Sequence, residues 1–355
     1  MAPLRVGFIG TGKPRGTEGS TGFGMAHHHA EGFLKLGERC TLAAACDIAQ
    51  ENVRAFADEY DVPATYPDYR EMLEAEELDI VSICTWPHLH EQMTVDCARA
   101  GVRAVHCEKP MADTWGGARR MAEVCEENGV QLTFNHMRRF SKVMRNAKAL
   151  LEDGEIGEPM RVEFGRYNLC DTGTHWFDTA NYFADQTPVE WVLAQVHYER
   201  EKLVFGAHQE NQAIALWRYE DGLFGLALTS GEEDIPRVHC RLMGTDGLIE
   251  IHPAGPEMPR LRIRRKGGTD WEAVDCDGET VHDAVNYYRV IAELVDCLET
   301  GETPETGAEN ALQATELVFA SWESARRRGR VDLPLEIEDN PLVAMVESGE
   351  LTPEG

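Results

Sequence analysis

Through the first 135 residues, short uninterrupted apolar runs alternate with stretches whose apolar positions recur every three or four residues. Val6–Gly10, Thr41–Cys46, Ile80–Thr85, Val102–Cys107 and Gln131–Asn135 are runs of strand length. Met25–Leu36, Ala49–Tyr60, Glu91–Ala100 and Thr114–Asn128 carry the helical period between them. Strands apolar on both faces, each followed by a helix, predict a parallel sheet covered on both sides. The rhythm changes after residue 136. Arg138–Asp153 predicts a helix stopped at Gly154, and Met160–Tyr167, Glu190–Tyr198, Gln212–Tyr219, Gly225–Ser230, Val238–Met243 and Leu248–Ile251 then predict longer strands. Asp221-Gly222 and Asp246-Gly247 suit hairpin turns. Val285–Leu298 and Ala308–Arg328 predict late helices, and the acidic residues from Pro341 onward are expected to fray or dock. The expectation is an α/β protein with a doubly wound parallel sheet in residues 1–134. An α+β domain with a large, mostly antiparallel sheet is expected in residues 135–355.

Composition narrows the partners. The 355 residues are 43% hydrophobic, enough for two packed cores, and no run of about 18 apolar residues is present to span a membrane. The start of the chain runs straight into a strand without an apolar leader, so a cytoplasmic protein is expected. A net charge of −28 repels nucleic acid and anionic membranes. The chain has seven lysines against twenty-seven arginines, and this acidic, lysine-poor surface suits a salty cytoplasm. Ten cysteines without any Cys-x-x-Cys spacing read as reduced thiols rather than a disulfide or zinc framework.

The chemistry begins at the first strand's end. Gly10-Thr11-Gly12 gives a tight turn and a close backbone approach for a dinucleotide pyrophosphate, which a following helix N-terminus would hold. The turn is extended by a loop from Lys13 to Phe23. The third glycine role therefore falls to Gly24, with Gly22 as the alternative. Asp47, just past the second strand, stands where an acid accepts hydrogen bonds from the adenosine ribose and repels a 2′-phosphate, which favours NAD over NADP. Its other reading is a cap for the next helix. His27-His28-His29 resembles a metal cluster, but consecutive helical residues point about 100° apart, so no metal site is expected.

Thr85-Trp86-Pro87-His88-Leu89-His90 follows one strand, Glu108-Lys109-Pro110 follows the next, and Asp171-Thr172-Gly173-Thr174-His175-Trp176-Phe177-Asp178 lies downstream. With the glycine turn these motifs resemble the glucose–fructose oxidoreductase / inositol dehydrogenase / rhizopine catabolism (Gfo/Idh/MocA) family. Arg138-Arg139-Phe140, Gly154-Glu155-Ile156-Gly157-Glu158-Pro159 and Gly244-Thr245-Asp246-Gly247 extend the resemblance over nearly the whole chain. The chain departs from the family in its Lys13–Phe23 loop and in the short span from Pro159 to Asp171. The resemblance implies a Rossmann domain followed by an open, mostly antiparallel sheet, and homodimers or homotetramers built by stacking those sheets. It also implies hydride transfer between NAD(P) and a carbinol carbon of a sugar, cyclitol or polyol.

The resemblance further implies that Lys109 contacts the substrate hydroxyl, that His175 takes its proton and that Asp171 holds the substrate or tunes the pair. Arg138 is a further substrate-binding candidate. Asp178 fits the family's last acidic position or supports His175. Glu108 orients Lys109 or the nicotinamide side, while Thr85, Trp86, Pro87 and His90 line the cofactor cleft. Two other readings remain open. One is a glycoside hydrolase using NAD for transient oxidation and elimination, and the other is a non-catalytic dinucleotide sensor.

Overall fold

A computed structural model describes residues 2–14, 16–20, 22–165, 167–230, 237–255 and 257–354. The chain begins β1 (Leu4–Ile9), α1 (Met25–Leu34), β2 (Cys40–Cys46), α2 (Gln50–Tyr60), β3 (Ala64–Tyr66), α3 (Tyr69–Ala75), β4 (Ile80–Ile83) and α4 (Pro87–Ala100). It continues β5 (Ala104–Cys107), α5 (Trp115–Glu127), β6 (Gln131–Phe134), α6 (Lys142–Glu152), β7 (Pro159–Phe164), α7 (Gly173–Phe183), β8 (Val189–His197), β9 (Leu203–Val204) and β10 (Ala207–His208). Strands β11 (Gln212–Tyr219), β12 (Phe224–Ser230), β13 (Val238–Gly244), β14 (Gly247–Pro253), β15 (Leu261–Arg265) and β16 (Glu272–Ala273) follow. The chain ends with α8 (Ala284–Thr300), α9 (Ala308–Arg327), β17 (Val331–Asp332) and α10 (Pro341–Glu347).

Two compact units share these elements. The first comprises Met1–Asp113, Gly117–Met137 and Ala284–Leu312. Its six strands run in the order β3-β2-β1-β4-β5-β6, all parallel. The strand order reverses between β1 and β4, and ligands of such sheets bind beyond the carboxyl ends there. Phe8 of β1 meets Phe33 of α1 and Phe56 of α2 in the core, with ring centroids at 6.1 and 5.1 Å. The division departs from a single cut near residue 134 in that Thr114–Gly116 joins the second unit and α8 returns to the first. Ile291, Leu294 and Val295 of α8 are fully buried in the same apolar layer, and Gly32 of α1 lets Ile291 approach closely. A helix with one apolar face joins whichever sheet layer it can cover.

The second unit comprises Thr114–Gly116, Arg138–Asp283 and Gln313–Gly355. Its nine-stranded sheet has the order β16-β15-β14-β13-β7-β12-β11-β8-β17 and is antiparallel except where β7 runs parallel to β12. Strands β8, β11, β12 and β13 alternate buried and partly exposed positions, as expected of a sheet packed on one face. The buried face meets α7, whose residues other than Tyr182 are all buried, with Phe164, Phe177 and Trp217 in mutual ring contact. The expected helix from Arg138 begins later. Met137–Phe140 form a 3-10 turn, and Ser141 caps α6 by accepting from the Met144 N–H. Strand β7 stops at Phe164 rather than Tyr167, and Arg166 lies outside the described residues. Residues from Pro341 dock as α10, capped by Asn340, with Leu342 and Met345 buried.

Arg139 and Asp178 form a two-pronged ion pair inside this unit. The guanidinium Nε donates to Asp178 Oδ2 at 3.1 Å and a terminal nitrogen donates to Oδ1, and both side chains are almost wholly buried. This geometry ties Asp178 of α7 to the 3-10 turn that precedes α6. Truncating one partner of a buried pair leaves the other charge uncompensated at a cost of ~3–5 kcal/mol. Asp178→Ala should therefore lower unfolding stability by about that amount in denaturant titration, far more than an exposed Asp→Ala change.

Candidate functional site

The glycine turn is shaped by backbone and by one carboxylate. Gly10, Gly12 and Gly24 have φ of 85°, 57° and 65°, which favour glycine, and a Cβ on Gly24 would lie 2.7 Å from the Lys13 carbonyl. Gly24 is thus where the Lys13–Phe23 excursion returns to its own start. Arg15 and Thr21 of that loop lie outside the described residues. Gly24 is the N-cap of α1, and among the described residues no side chain caps that helix and no acid sits in its first turn. A Cβ on Gly12 would touch no described protein atom. N–H groups at a helix start beside an uncrowded turn suit a pyrophosphate. Asp47 fastens the turn: Oδ2 accepts from the Gly12 N–H at 2.8 Å and the Thr11 hydroxyl at 3.1 Å, while Oδ1 accepts from the Ala49 N–H at 2.8 Å. Ala49, not Asp47, is the cap residue of α2.

The ends of β4, β5 and β6 form one strip, because Ile83 pairs with Cys107 and Cys107 with Phe134. Thr85 abuts the turn, with Cγ2 2.7 Å from where a Gly10 Cβ would stand. Trp86 is exposed and Pro87 opens α4. His90 differs from its expected place in the cofactor cleft. It is fully buried, with Nδ1 3.0 Å from the Pro110 carbonyl and Nε2 3.1 Å from the Thr85 carbonyl. Burial holds it below the usual histidine range, although both carbonyls oppose that shift. Its contribution is to brace two loops.

Glu108 gathers the other members of the strip. Its Oε1 accepts from Asn135 Nδ2 at 2.6 Å and faces His29 Nε2 at 3.1 Å, and its Oε2 accepts from the backbone N–H of Lys109 at 3.2 Å. On the opposite side of the ring, His29 Nδ1 lies 2.8 Å from Ser82 Oγ and 3.4 Å from Cys84 Sγ. Burial works against the His29 imidazolium, but Cys84 and Glu108 outweigh it and raise the group to about 10. Burial likewise opposes ionisation of Glu108, and His29, Lys109 and Asn135 together draw it down to about 2. His106, its ring 4.8 Å from that of His29, is pushed well below the usual range by burial and by the His29 charge. The three consecutive histidines diverge as helix geometry requires. His27 meets Tyr60 and Glu59, His28 stacks on Tyr287, and His29 enters the core.

The second unit places Asp171 in the turn leading into α7 and His175, buried, in that helix's first turn. The Thr174 N–H bonds to the Cys170 carbonyl, so the helical spacing of Asp171 and His175 begins before the helix proper. The connection from β7 is fastened along its length. The Leu169 N–H donates to Glu210 Oε1 at 2.6 Å, the Asp171 N–H to Gln209 Oε1 at 3.2 Å, and the Thr172 N–H to Asn168 Oδ1 at 3.0 Å. Glu210 also accepts from the Trp322 indole at 3.0 Å, and burial pushes it up to about 7. Arg138 is buried with its guanidinium carbon 4.6 Å from the Trp176 ring centroid, beside His175.

His29, Asn135, Gln209 and Glu210 were not among the residues expected from sequence. His29 had a signal, since Ala26, Ala30 and Phe33 mark a core stripe on α1 that includes it. Asn135 directly follows β6 as Glu108 follows β5. Gln209 and Glu210 carry no local signal.

Both units match known proteins. Residues 4–136 match the Gfo/Idh/MocA model described as "Oxidoreductase family, NAD-binding Rossmann fold", and residues 161–333 match the family's "C-terminal alpha/beta domain". The chain belongs to the Gfo/Idh/MocA oxidoreductase family. Its first unit is that family's NAD-binding fold. The D-apiose dehydrogenase of Paraburkholderia graminis is 28% identical, with 92% of this chain and 91% of that protein aligned. The myo-inositol 2-dehydrogenase of Thermotoga maritima is 26% identical, over 93% and 98% of the two chains. The crystal structure of an NAD binding oxidoreductase from Klebsiella pneumoniae shares the fold, with a TM-score of 0.77, 21% identity and coverage of 94% and 100%. No helix among the described residues is long and apolar enough to cross a membrane.

The His29–Glu108 pair makes stability depend on pH in a defined window. His29 rises from 6.5 to about 10 on folding, so its contribution is full below 6.5 and is lost as pH rises through 10. Glu108 falls from 4.5 to about 2, so its contribution is full above 4.5 and is lost as pH falls through 2. The stability difference between wild type and His29→Gln should be greatest between those inner limits and should shrink towards pH 10. A difference independent of pH would show that the ring carries no charge.

Proposed function

We propose that this oxidoreductase is an NAD-dependent dehydrogenase acting on a hydroxyl-bearing carbon of a sugar, cyclitol or polyol. The observation that carries the reading is the placement of Lys109. It follows β5 at the carboxyl edge of the parallel sheet. Its own N–H is held by Glu108, and the next residue's carbonyl lies within hydrogen-bond distance of His90. A lysine fixed on both sides at this edge suits chemistry better than solubility. Gly10, Thr11, Gly12 and Gly24, the uncapped start of α1 and Asp47 are the residues that would hold the cofactor. Bound NAD supplies the hydride acceptor.

In this reading the ammonium of Lys109 hydrogen-bonds the substrate hydroxyl and stabilises alkoxide character as the C–H bond weakens. His175 accepts the hydroxyl proton, and Asp171 orients the substrate. Arg138, stacked on Trp176, adds a fixed donor for further hydroxyls. The curated relatives' names include an aldose and a cyclitol dehydrogenase, so both substrate classes belong in the assay. Asp47 supports NAD over NADP through its charge, while also tying down the turn.

The open face of the second unit's sheet supports a homo-oligomer. Leu193, Leu216 and Leu226 lie side by side across β8, β11 and β12, and Leu193 and Ile214 are 44% and 50% exposed. Such a contiguous apolar row on a sheet face suits a second copy of the chain. Light scattering should report a dimer or tetramer, and Ile214→Glu should shift it to a smaller species. A wild-type monomer at micromolar concentration would sink the assignment.

Activity is tested by following nicotinamide reduction with a panel of aldoses, cyclitols and linear polyols. NAD should be preferred over NADP, and Lys109→Ala should lower turnover by ~100-fold or more. Full turnover in that variant would overturn the mechanism. Release of an aglycone without net reduction of NAD would instead favour the hydrolase reading.

A further inference from the structure

The contacts around Lys109 do not end at its neighbours in sequence. They pass through one carboxylate to the first helix of the fold. Glu108 is a fork: Oε1 faces His29 Nε2 of α1, and Oε2 accepts the N–H of Lys109 itself. Asn135, beyond β6, shares Oε1. The opposite side of the His29 ring is anchored on Ser82 of β4. All of these side chains except that of Lys109 are buried.

We infer that His29 is a positioning residue for Lys109, acting through Glu108 and tying the lysine to the helix whose N-terminus faces the cofactor turn. The inference rests on the reading of Lys109 as the group that meets the substrate hydroxyl.

The physical argument is one of acceptor capacity. An ionised carboxylate only accepts hydrogen bonds, so both oxygens are available, one for His29 and Asn135 and the other for the Lys109 amide. A neutral carboxyl would turn one oxygen into a donor and spoil one end of the fork. Keeping Glu108 ionised in a dry site requires positive charge nearby, and His29, hydrogen-bonded to Oε1, adds to that of Lys109 from α1. The pair also explains why a histidine stands in an otherwise apolar stripe of Ala26, Ala30 and Phe33. A core position needing only bulk would be met by leucine. The link has a direction. Gly24 opens α1 at the turn and His29 sits on its inner face, so the helix start and the lysine amide are referenced to the same rigid element.

The test uses the full chain with His29→Gln, which keeps a side chain able to hydrogen-bond Glu108 but removes the charge. Glu108→Gln serves as the second variant should the first not fold. Peptide-resolved hydrogen exchange should show the Lys109 amide exchanging ~10-fold faster or more in the variant, while amides of the second unit keep their rates. NAD affinity, measured by fluorescence titration, should change less than about twofold. Turnover should fall ~100-fold, the scale of a small misplacement at a reacting centre, with KM for NAD held. In a Lys109→Ala background the same change should cause no further loss, because the two act through one element. Unchanged exchange at Lys109, or an equal loss in the Lys109→Ala background, would overturn the inference. If Lys109→Ala turns over at the full rate while exchange at residue 109 still rises in His29→Gln, the bracing stands and the catalytic reading of the lysine falls.

Discussion

In a parallel sheet every strand presents its carboxyl end at one edge, and residues just beyond those ends must share a narrow strip. Here the register makes the sharing concrete. Ile9 pairs with both Cys46 and Ile83, Ile83 with Cys107, and Cys107 with Phe134. The next residues along each strand are Gly10, Asp47, Cys84, Glu108 and Asn135. A turn, an acid that fastens it, a thiol, a carboxylate and an amide are therefore brought together by backbone hydrogen bonds alone. The catalytic candidate Lys109 follows by one residue. A slip of one position in β5 would send Glu108 to the other face of the sheet and break the strip.

Three buried carboxylates show how differently the same burial can be answered. Glu108 meets a histidine, an amide and a backbone N–H, and the sum holds it ionised near 2. Asp178 is met by the fork of Arg139, whose planar geometry satisfies both oxygens at once. Glu210 accepts from the Leu169 N–H and the Trp322 indole, both neutral donors, and Lys202 adds only a weak attraction. Neutral donors do not repay removal of a charge from water, so Glu210 rises to about 7. Glu108 is thus a fixed charge at neutral pH, whereas Glu210 is balanced between two protonation states while holding the loop before Asp171.

The layered architecture was legible because it rests on local rules. Continuous apolar strands between amphipathic helices require a covered parallel sheet, and alternating strands with Asp-Gly turns require a sheet with one open face. The glycine turn was legible for the same reason, since positive φ leaves few residue types to choose from. What escaped was set by distance along the chain. β3 and α3 are too short to establish a period. Helix α8 was visible as a helix, but its return to the first unit depends on Ile291 matching Gly32, some 260 positions earlier. His90 was visible as a polar residue near the site. Its burial was not, because the carbonyl it meets at Pro110 belongs to another loop. Glu210 reaches Leu169 across 41 positions and Trp322 across 112, and neither partner advertises the contact.

The charge composition finds its explanation in the same long-range contacts. With 62 acids and 34 bases, the chain cannot give each carboxylate its own cation. Arginines instead bridge acids in twos. Arg39 joins Asp296 and Glu299, Arg241 joins Glu163 and Glu250, Arg265 joins Glu155 and Glu272, and Arg326 joins Glu323 and Asp339. Glu250 in turn takes Arg262, so that Glu163, Arg241, Glu250 and Arg262 alternate in sign across four neighbouring strands. A guanidinium offers five donors in a plane and can serve two carboxylates without giving up geometry, while an ammonium is a compact, strongly hydrated point charge. Isolated exposed pairs contribute little, but a ladder whose members Glu163 and Glu250 are 7% and 4% exposed is shielded from solvent and salt. The planar guanidinium thus suits a chain that holds so many acids close together, because one arginine can serve two carboxylates where acids outnumber bases.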